Sequence, residues 1–214
     1  MSLRTAGSVL VVFLWSVAGT VSAVEGHSYF HVTYTHQRIC TLKGTSVDIS
    51  CSYTYPSGHT VSETNWYTKV NEAPQNLSPG YGGRVEYLGN MQSDSILRIT
   101  DLRESDSAEY TIRFRTDQTT WEPTFPGTTL TVTGLQVKVT PATVTEGQQV
   151  TLTCSTTCTL SDNPTYIWYK NGHVTNQSNS LFLNSVSSED AGRYSCSVEG
   201  HEDLHSDEET LTVR

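Results

Sequence analysis

Short runs of alternating apolar and polar residues recur along most of this chain. In "SVDISCSY" (46–53), Val47, Ile49, Cys51 and Tyr53 fall on one side and Asp48, Ser50 and Ser52 on the other. The same period of two runs through "RVEYL", "SILRIT", "YTIRFR" and "TTLTVT". It returns in "QVTLTCS", "TYIWYK", "SLFLNSV", "RYSCSVE" and "ETLTVR". Side chains on a strand point alternately to opposite faces, so each run predicts a strand with one buried side. Gly, Asn, Asp and Ser clusters separate the runs, and no stretch has a helical period of useful length. Many short strands at this spacing predict an all-β antiparallel sandwich.

The pattern runs twice. Cys51 is followed by Trp66, and Cys154 by Trp168. "DLRESDSAEY" is matched by "SVSSEDAGRY", and each half closes in a Thr/Leu/Val strand. The expectation is two tandem immunoglobulin-like sandwiches, over residues 24–133 and 134–214. The join near Thr133-Gly134 leaves almost no linker, which suggests two domains in a fairly fixed relation. In the second half Cys154 and Cys196 sit on strands that face each other across a core. Trp168 is expected to pack on their disulfide, and Tyr194, two before Cys196, to form a tyrosine corner. This is the constant or I-type pattern. The first half is longer between Trp66 and Arg84, as a variable-type domain needs for extra edge strands. Its Arg84 and Asp106 match the buried ion pair of such domains, and Tyr110 matches Tyr194; all three read as structural.

The amino-terminal 23 residues have one basic residue, an apolar run and a small-residue ending, Val21-Ser22-Ala23. This predicts a secretory signal peptide (1–23), too short in its apolar run to serve as a membrane span. The location expected is extracellular, either secreted or as the ectodomain of a plasma-membrane receptor, with a membrane link only in a longer anchored form. The formal charge is −9, and −10 once Arg4, the one charged residue of the leader, is gone. That balance argues against nucleic acid, which needs a basic footprint. Five cysteines in a secretory setting predict disulfides with one thiol left over. Asn76-Leu-Ser and Asn176-Gln-Ser are sequons for N-glycosylation.

One strand breaks the symmetry. "DAGRYSC" carries a cysteine two after its tyrosine, whereas "SAEYTIRFRTD" has Ile112 in that place and Arg113 beside it. Alternation sends Tyr110 and Ile112 into the core and Thr111, Arg113 and Arg115 outward. Cys51 then faces Ile112, and the usual bridge between sheets cannot form.

These features resemble the first domain of sialic-acid-binding immunoglobulin-like lectins, the siglecs, and in particular the B-cell siglec type found in fish. That domain also lacks the cysteine, and its strand reads Tyr-x-Phe-Arg; "YTIRF" is similar and puts Arg113 in the place of the arginine that holds the sialic acid carboxylate. "CSYTYPSGH" and "GRVEYLGN…SILRITDLRESDSAEY" resemble the neighbouring siglec strands. The resemblance implies aromatic rings beside the arginine from the first and last strands, for which Tyr29, Phe30 and Trp121 are the candidates, with Arg115 as a possible second cation. It also implies a cysteine pair within one sheet, but Ser95 holds the second position, leaving Cys51 as the free thiol. Siglecs bridge their two domains as well. By that resemblance Cys40 pairs with Cys158, with Cys40–Cys51 as the rival. An in-register pair of first strands would leave residues 40 and 51 too far apart for a disulfide.

A guanidinium meets a carboxylate through two parallel hydrogen bonds, which makes Arg113 a suitable anion ligand. An outward arginine on a strand is more often plain surface, and relatives on this scaffold often bind proteins through the same face. The partner expected is therefore a sialylated glycan or a cell-surface protein, in cell adhesion or the regulation of B-cell signalling. A spacer with no ligand is the third reading. No nucleophile–base arrangement or phosphate loop points to an enzyme, and no cofactor is implied. His27 and His31 lie four apart on an expected strand, which does not build a metal site as it would on a helix. His201 and His205 lie in the acidic "EGHEDLHSDEE", a candidate cation cluster or a solvated loop.

Overall fold

The computed structural model describes residues 30–70, 73–77, 81–90, 92–119, 126–160 and 164–214, and of residues 70 and 73–76 the backbone only. Among the described residues nine strands build the first sandwich: β1 (His31–Tyr34), β2 (Arg38–Leu42), β3 (Val47–Thr54), β4 (Val61–Val70), β5 (Ala73–Asn76), β6 (Val85–Asn90), β7 (Asp94–Ile99), β8 (Ala108–Thr116) and β9 (Thr128–Thr133). One sheet has the order β1-β3-β7-β6, the other β2-β9-β8-β4-β5. Seven strands among the described residues build the second: β10 (Gln136–Thr140), β11 (Val150–Ser155), β12 (Tyr166–Lys170), β13 (His173–Gln177), β14 (Ser180–Leu183), β15 (Gly192–Val198) and β16 (Glu209–Leu211), ordered β10-β11-β14 and β13-β12-β15-β16.

The opening strand is split between sheets. β1 pairs antiparallel with β3, and after a break at residues 35–37 β2 pairs parallel with β9. Cys40 therefore lies in the middle of β2. Ile39 packs against the core, so Arg38 and Cys40 face away from it.

Aromatic rings fill the first core where an inter-sheet disulfide would otherwise stand. Trp66, Tyr53, Tyr110, Ile112 and Phe114 are all essentially inaccessible, and the Tyr53 and Phe114 rings stack at 4.7 Å. Tyr34 reaches in from β1, 6.1 Å from the Trp66 ring, and its hydroxyl accepts the Ile112 N–H at 2.9 Å. β9 pairs with β8 only from Ala108 to Tyr110, so this N–H has no backbone partner there, and a side chain from the opposite sheet satisfies it. Burial pushes the Tyr34 phenol well above its ordinary range.

Arg84 and Asp106 close the lower end. Two guanidinium nitrogens lie 2.8 and 3.0 Å from the two carboxylate oxygens, and the Arg103 N–H donates to the same carboxylate at 2.9 Å. The Tyr110 hydroxyl donates to the Asp106 carbonyl at 2.6 Å and meets the Tyr81 hydroxyl at 2.8 Å. The second sandwich repeats the corner: Tyr194 donates to the Asp190 carbonyl at 2.7 Å. Its core holds Trp168, fully buried, and the Cys154–Cys196 disulfide, whose Cα atoms are 6.3 Å apart. Tyr194 is pushed up to about 12 by burial and by Asp190.

The junction is short and cross-linked. β9 ends at Thr133 and β10 begins at Gln136. Cys40 and Cys158 form a disulfide with Cα atoms 5.9 Å apart. The Thr157 N–H donates to the Thr133 hydroxyl at 3.0 Å, and Leu42 of β2 lies in the core of the second sandwich. A side chain on Gly44 would meet Leu204 at 3.0 Å, so this turn packs closely on the second domain.

Candidate functional site

The five-stranded sheet turns one face to the core and one outward, and the pairing of β4 with β8 fixes what the outer face carries. Glu63 lies opposite Arg115, Asn65 opposite Arg113, Tyr67 opposite Thr111 and Lys69 opposite Glu109. The intervening residues Trp66, Tyr110, Ile112 and Phe114 belong to the core. This alternation sends Arg113 out, half-buried among its neighbours.

Its guanidinium lies over the Tyr67 ring, 4.8 Å from the centroid. Tyr67 is the next outward residue on β4 after Asn65, diagonal to Arg113, which puts a ring under a long cation. Among the described residues Arg113 makes no hydrogen bond and no ion pair, and its Nε is shielded from solvent without a partner. The acids nearby are engaged elsewhere. Glu63 accepts from the Asn65 amide at 2.6 Å and pairs with Arg115 at 3.6 Å. Glu109 accepts the Gly127 N–H at 2.8 Å and faces Lys69 at 3.8 Å. Gly127 sits so close to β8 that a side chain there would run into the Tyr110 carbonyl and the Thr111 methyl. Its lack of a side chain lets the start of β9 close over Thr111, which is buried though it faces outward.

The other expected ligands fall differently. Arg115 is ion-paired with Glu63. Phe30 does not reach the outer face: its ring packs on Phe114 at 6.0 Å and His59 at 5.9 Å, on the core side of β8. The reason lies in the split opening strand. β1 joins the opposite sheet, so the residue entering it inserts between the sheets. Tyr29 and Trp121 lie outside the described residues, as do residues 1–23 and the Asn76 side chain. Asn176 is exposed on β13, an edge strand. The sequence reading passed over Tyr67. Its signal was available, since Trp66 inward places Tyr67 outward on the strand next to Arg113.

Cys51 is buried opposite Ser95 on the adjacent strand, and its thiol, pushed up to about 12 by burial, donates to the Ser95 carbonyl at 3.6 Å. The Ser95 hydroxyl accepts the Trp66 indole N–H at 2.9 Å. His201 and His205 do not converge. His205 lies 4.5 Å from the Tyr169 ring, while His201 lines a cleft with Cys40 between the sandwiches. Among the described residues no group of three or more His, Cys, Asp or Glu side chains could hold a metal ion, and no helix is long and apolar enough to cross a membrane.

Comparison with known proteins agrees with this architecture. Residues 134–213 match the family described as Immunoglobulin domain. Three N-terminal domains of the highly immunogenic outer capsid protein Hoc of bacteriophage RB49 are 16% identical with a TM-score of 0.51, over 86% of this chain and 59% of that one. The N-terminal four Ig domains of Dscam1 isoform 8.4 are 24% identical with a TM-score of 0.38, over 83% of this chain. The two domains IG1+IG2 of DIP-gamma are 16% identical with a TM-score of 0.41, over 85% of this chain and 96% of that one. The chain spans 43% of the Dscam1 structure. The protein is thus an all-β chain of two immunoglobulin-like sandwiches, with residues 134–213 matching the Immunoglobulin domain family. The likeness to Hoc describes the fold alone, and the site stands on its own geometry.

Proposed function

We propose that this chain is an extracellular recognition module of an immune cell-surface receptor, and that the outer face of the β2-β9-β8-β4-β5 sheet binds the carboxylate of a sialylated glycan through Arg113. One observation carries the reading. Arg113 rests on Tyr67 with no acceptor for its guanidinium among the described residues, although two glutamates lie on the same face. A polar group left unpartnered in a half-buried setting is costly, and a carboxylate ligand would satisfy it with two parallel hydrogen bonds. The Tyr67 ring holds the guanidinium in place and reduces the ordering lost on binding. A bidentate contact of ~1.5–3 kcal/mol plus sugar packing gives ~4–6 kcal/mol in all. That corresponds to a Kd of ~0.1–1 mM for one site. Clustering on a cell surface would raise the avidity to a useful level.

A sialoside array tests the reading. Binding by the native chain, lost in Arg113→Ala and lost after sialidase treatment of the glycans, is the expected result. Full binding to a cell-surface protein that survives both treatments would overturn it and leave a protein-binding receptor module on the same sheet face.

A further inference from the structure

The outer face of the five-stranded sheet holds a second unpaired cation. Arg38 on β2 lies beside Thr129 on β9, which lies beside Glu109 on β8, which lies beside Lys69 on β4. Residues so paired across a sheet share a face, and Arg38 is exposed. Of the four cations on this face among the described residues, Lys69 and Arg115 are paired with Glu109 and Glu63. Arg113 has only the Tyr67 ring, and Arg38 has no hydrogen bond, ion pair or ring contact among the described residues. Two unpaired arginines on one face stand out in a chain with a formal charge of −9.

Arg38 and Arg113 are two strands apart laterally and four residues apart along β8, which places their backbones ~17 Å apart. Arg38 also lines a groove of about 530 Å³ between β1 and the start of β9. His31, Thr33, Gln37 and Gly127 also line it. Gly127 in turn presses on Thr111, the outward residue next to Arg113 on β8. The groove thus reaches from Arg38 to Gly127, whose neighbour Thr111 stands beside Arg113 on β8, and His31, Thr33 and Gln37 give it polar groups suited to sugar hydroxyls.

We infer that this face takes a glycan with two acidic groups, one at Arg113 and one at Arg38, joined by neutral sugar laid along the groove. This rests on the proposed carboxylate role of Arg113 and adds the ligand class. The second group is an anion, a sialic acid carboxylate or a sulfate ester, since a guanidinium pairs with either.

The test compares three probes on the immobilised chain: a monosialyl oligosaccharide, the same oligosaccharide with a second sialic acid, and the same with a distal sulfate. The expected result is at least about tenfold tighter binding of one or both diacidic probes, with a steeper loss on raising salt. The probe that gains identifies the anion. In Arg38→Ala the ratio of diacidic to monosialyl affinity falls to about one, and in Arg38→Glu below one. Arg193→Ala on the second sandwich, which removes an exposed ion pair with Glu208, keeps the native ratio. Arg38 is exposed and unpaired, so its variants are expected to melt with the native chain. A native ratio near one, or a ratio that Arg38→Ala leaves unchanged, while monosialyl binding persists, overturns this inference and leaves the function of Arg113 standing. Absence of binding to all three probes overturns the carboxylate reading itself.

Discussion

Cys51 and Ser95 face each other across β3 and β7, and between them they support the buried tryptophan of the first core. The thiol donates to the Ser95 carbonyl, and the Ser95 hydroxyl accepts the Trp66 N–H. Directly opposed Cα atoms on antiparallel strands lie ~4.5–5.5 Å apart, within reach of a disulfide. Ser95→Cys is therefore expected to oxidise with Cys51, and thiol titration in denaturant would fall from one group to none. Closing a loop of 44 residues is worth ~4 kcal/mol. Stranding the Trp66 N–H costs ~1–3 kcal/mol, leaving a net gain of ~1–3 kcal/mol in unfolding free energy. Two free thiols in the folded variant would refute the geometry. In the native chain the Cys51 thiol, pushed up to about 12, should react with thiol reagents only after unfolding.

The Arg84–Asp106 pair makes a pH prediction. Burial works against the ionised Asp106, but the hydrogen bonds from Arg84 and the Arg103 N–H outweigh it and hold the carboxyl below its ordinary value of 3.8. A carboxylate depressed on folding stabilises the native state above its unfolded pKa, and that contribution is lost as pH falls through the folded value. Urea midpoints of the native chain should therefore drop below about pH 4 more steeply than those of Asp106→Asn. Arg84→Ala leaves a mostly buried carboxylate unpaired and should cost ~3–5 kcal/mol at neutral pH. A pH profile unchanged by Asp106→Asn would show that other carboxylates govern acid unfolding.

The parts of this molecule that alternation could reveal are those with one face in a core. β3 and β7 bury alternate residues, and β8 and β15 alternate in sequence although residues on both of their faces are buried; the inward tyrosines and outward arginines follow from that alternation. β13 is exposed along its length and has no pattern to read, and β1 and β2 are too short for one. The switch of the opening strand between sheets at residues 35–37 was therefore hidden. It moved Phe30 into the core, set Tyr34 against the Ile112 N–H, and brought Arg38 onto the face of Arg113. Candidate-site residues on long strands were legible for the same reason that those on the split strand were not.

The Cys40–Cys158 disulfide spans 118 residues of sequence and joins two sandwiches that each have their own core. Replacing both cysteines with serine should leave both cores folded, because neither half of the bridge belongs to the first core and the second keeps Cys154–Cys196. What should change is the relation between the domains. Leu42 and the Thr133–Thr157 hydrogen bonds remain, but they lack a covalent limit on opening. Small-angle scattering is expected to show a broader distribution of interdomain distances in the double variant. An unchanged profile would mean that the packing at Leu42 and Leu204 alone sets the angle.

Tyr67 offers the sharpest separation of structure from recognition. Its ring supports the Arg113 guanidinium, and its hydroxyl has no hydrogen-bond partner among the described residues. A cation over an aromatic ring is worth ~0.5–2 kcal/mol, so losing the ring should weaken sialoside binding ~2–30-fold. Tyr67→Phe keeps the ring and is expected to bind as the native chain does, while Tyr67→Ala binds more weakly. Tyr67 is half-buried on an outer face, so both variants should unfold near the native midpoint. Titrating a monosialyl ligand against each variant by NMR gives the ratio directly. If Tyr67→Phe weakened binding as much as Tyr67→Ala, the hydroxyl and not the ring would be the contact, and the guanidinium would owe its position to something other than the face of Tyr67.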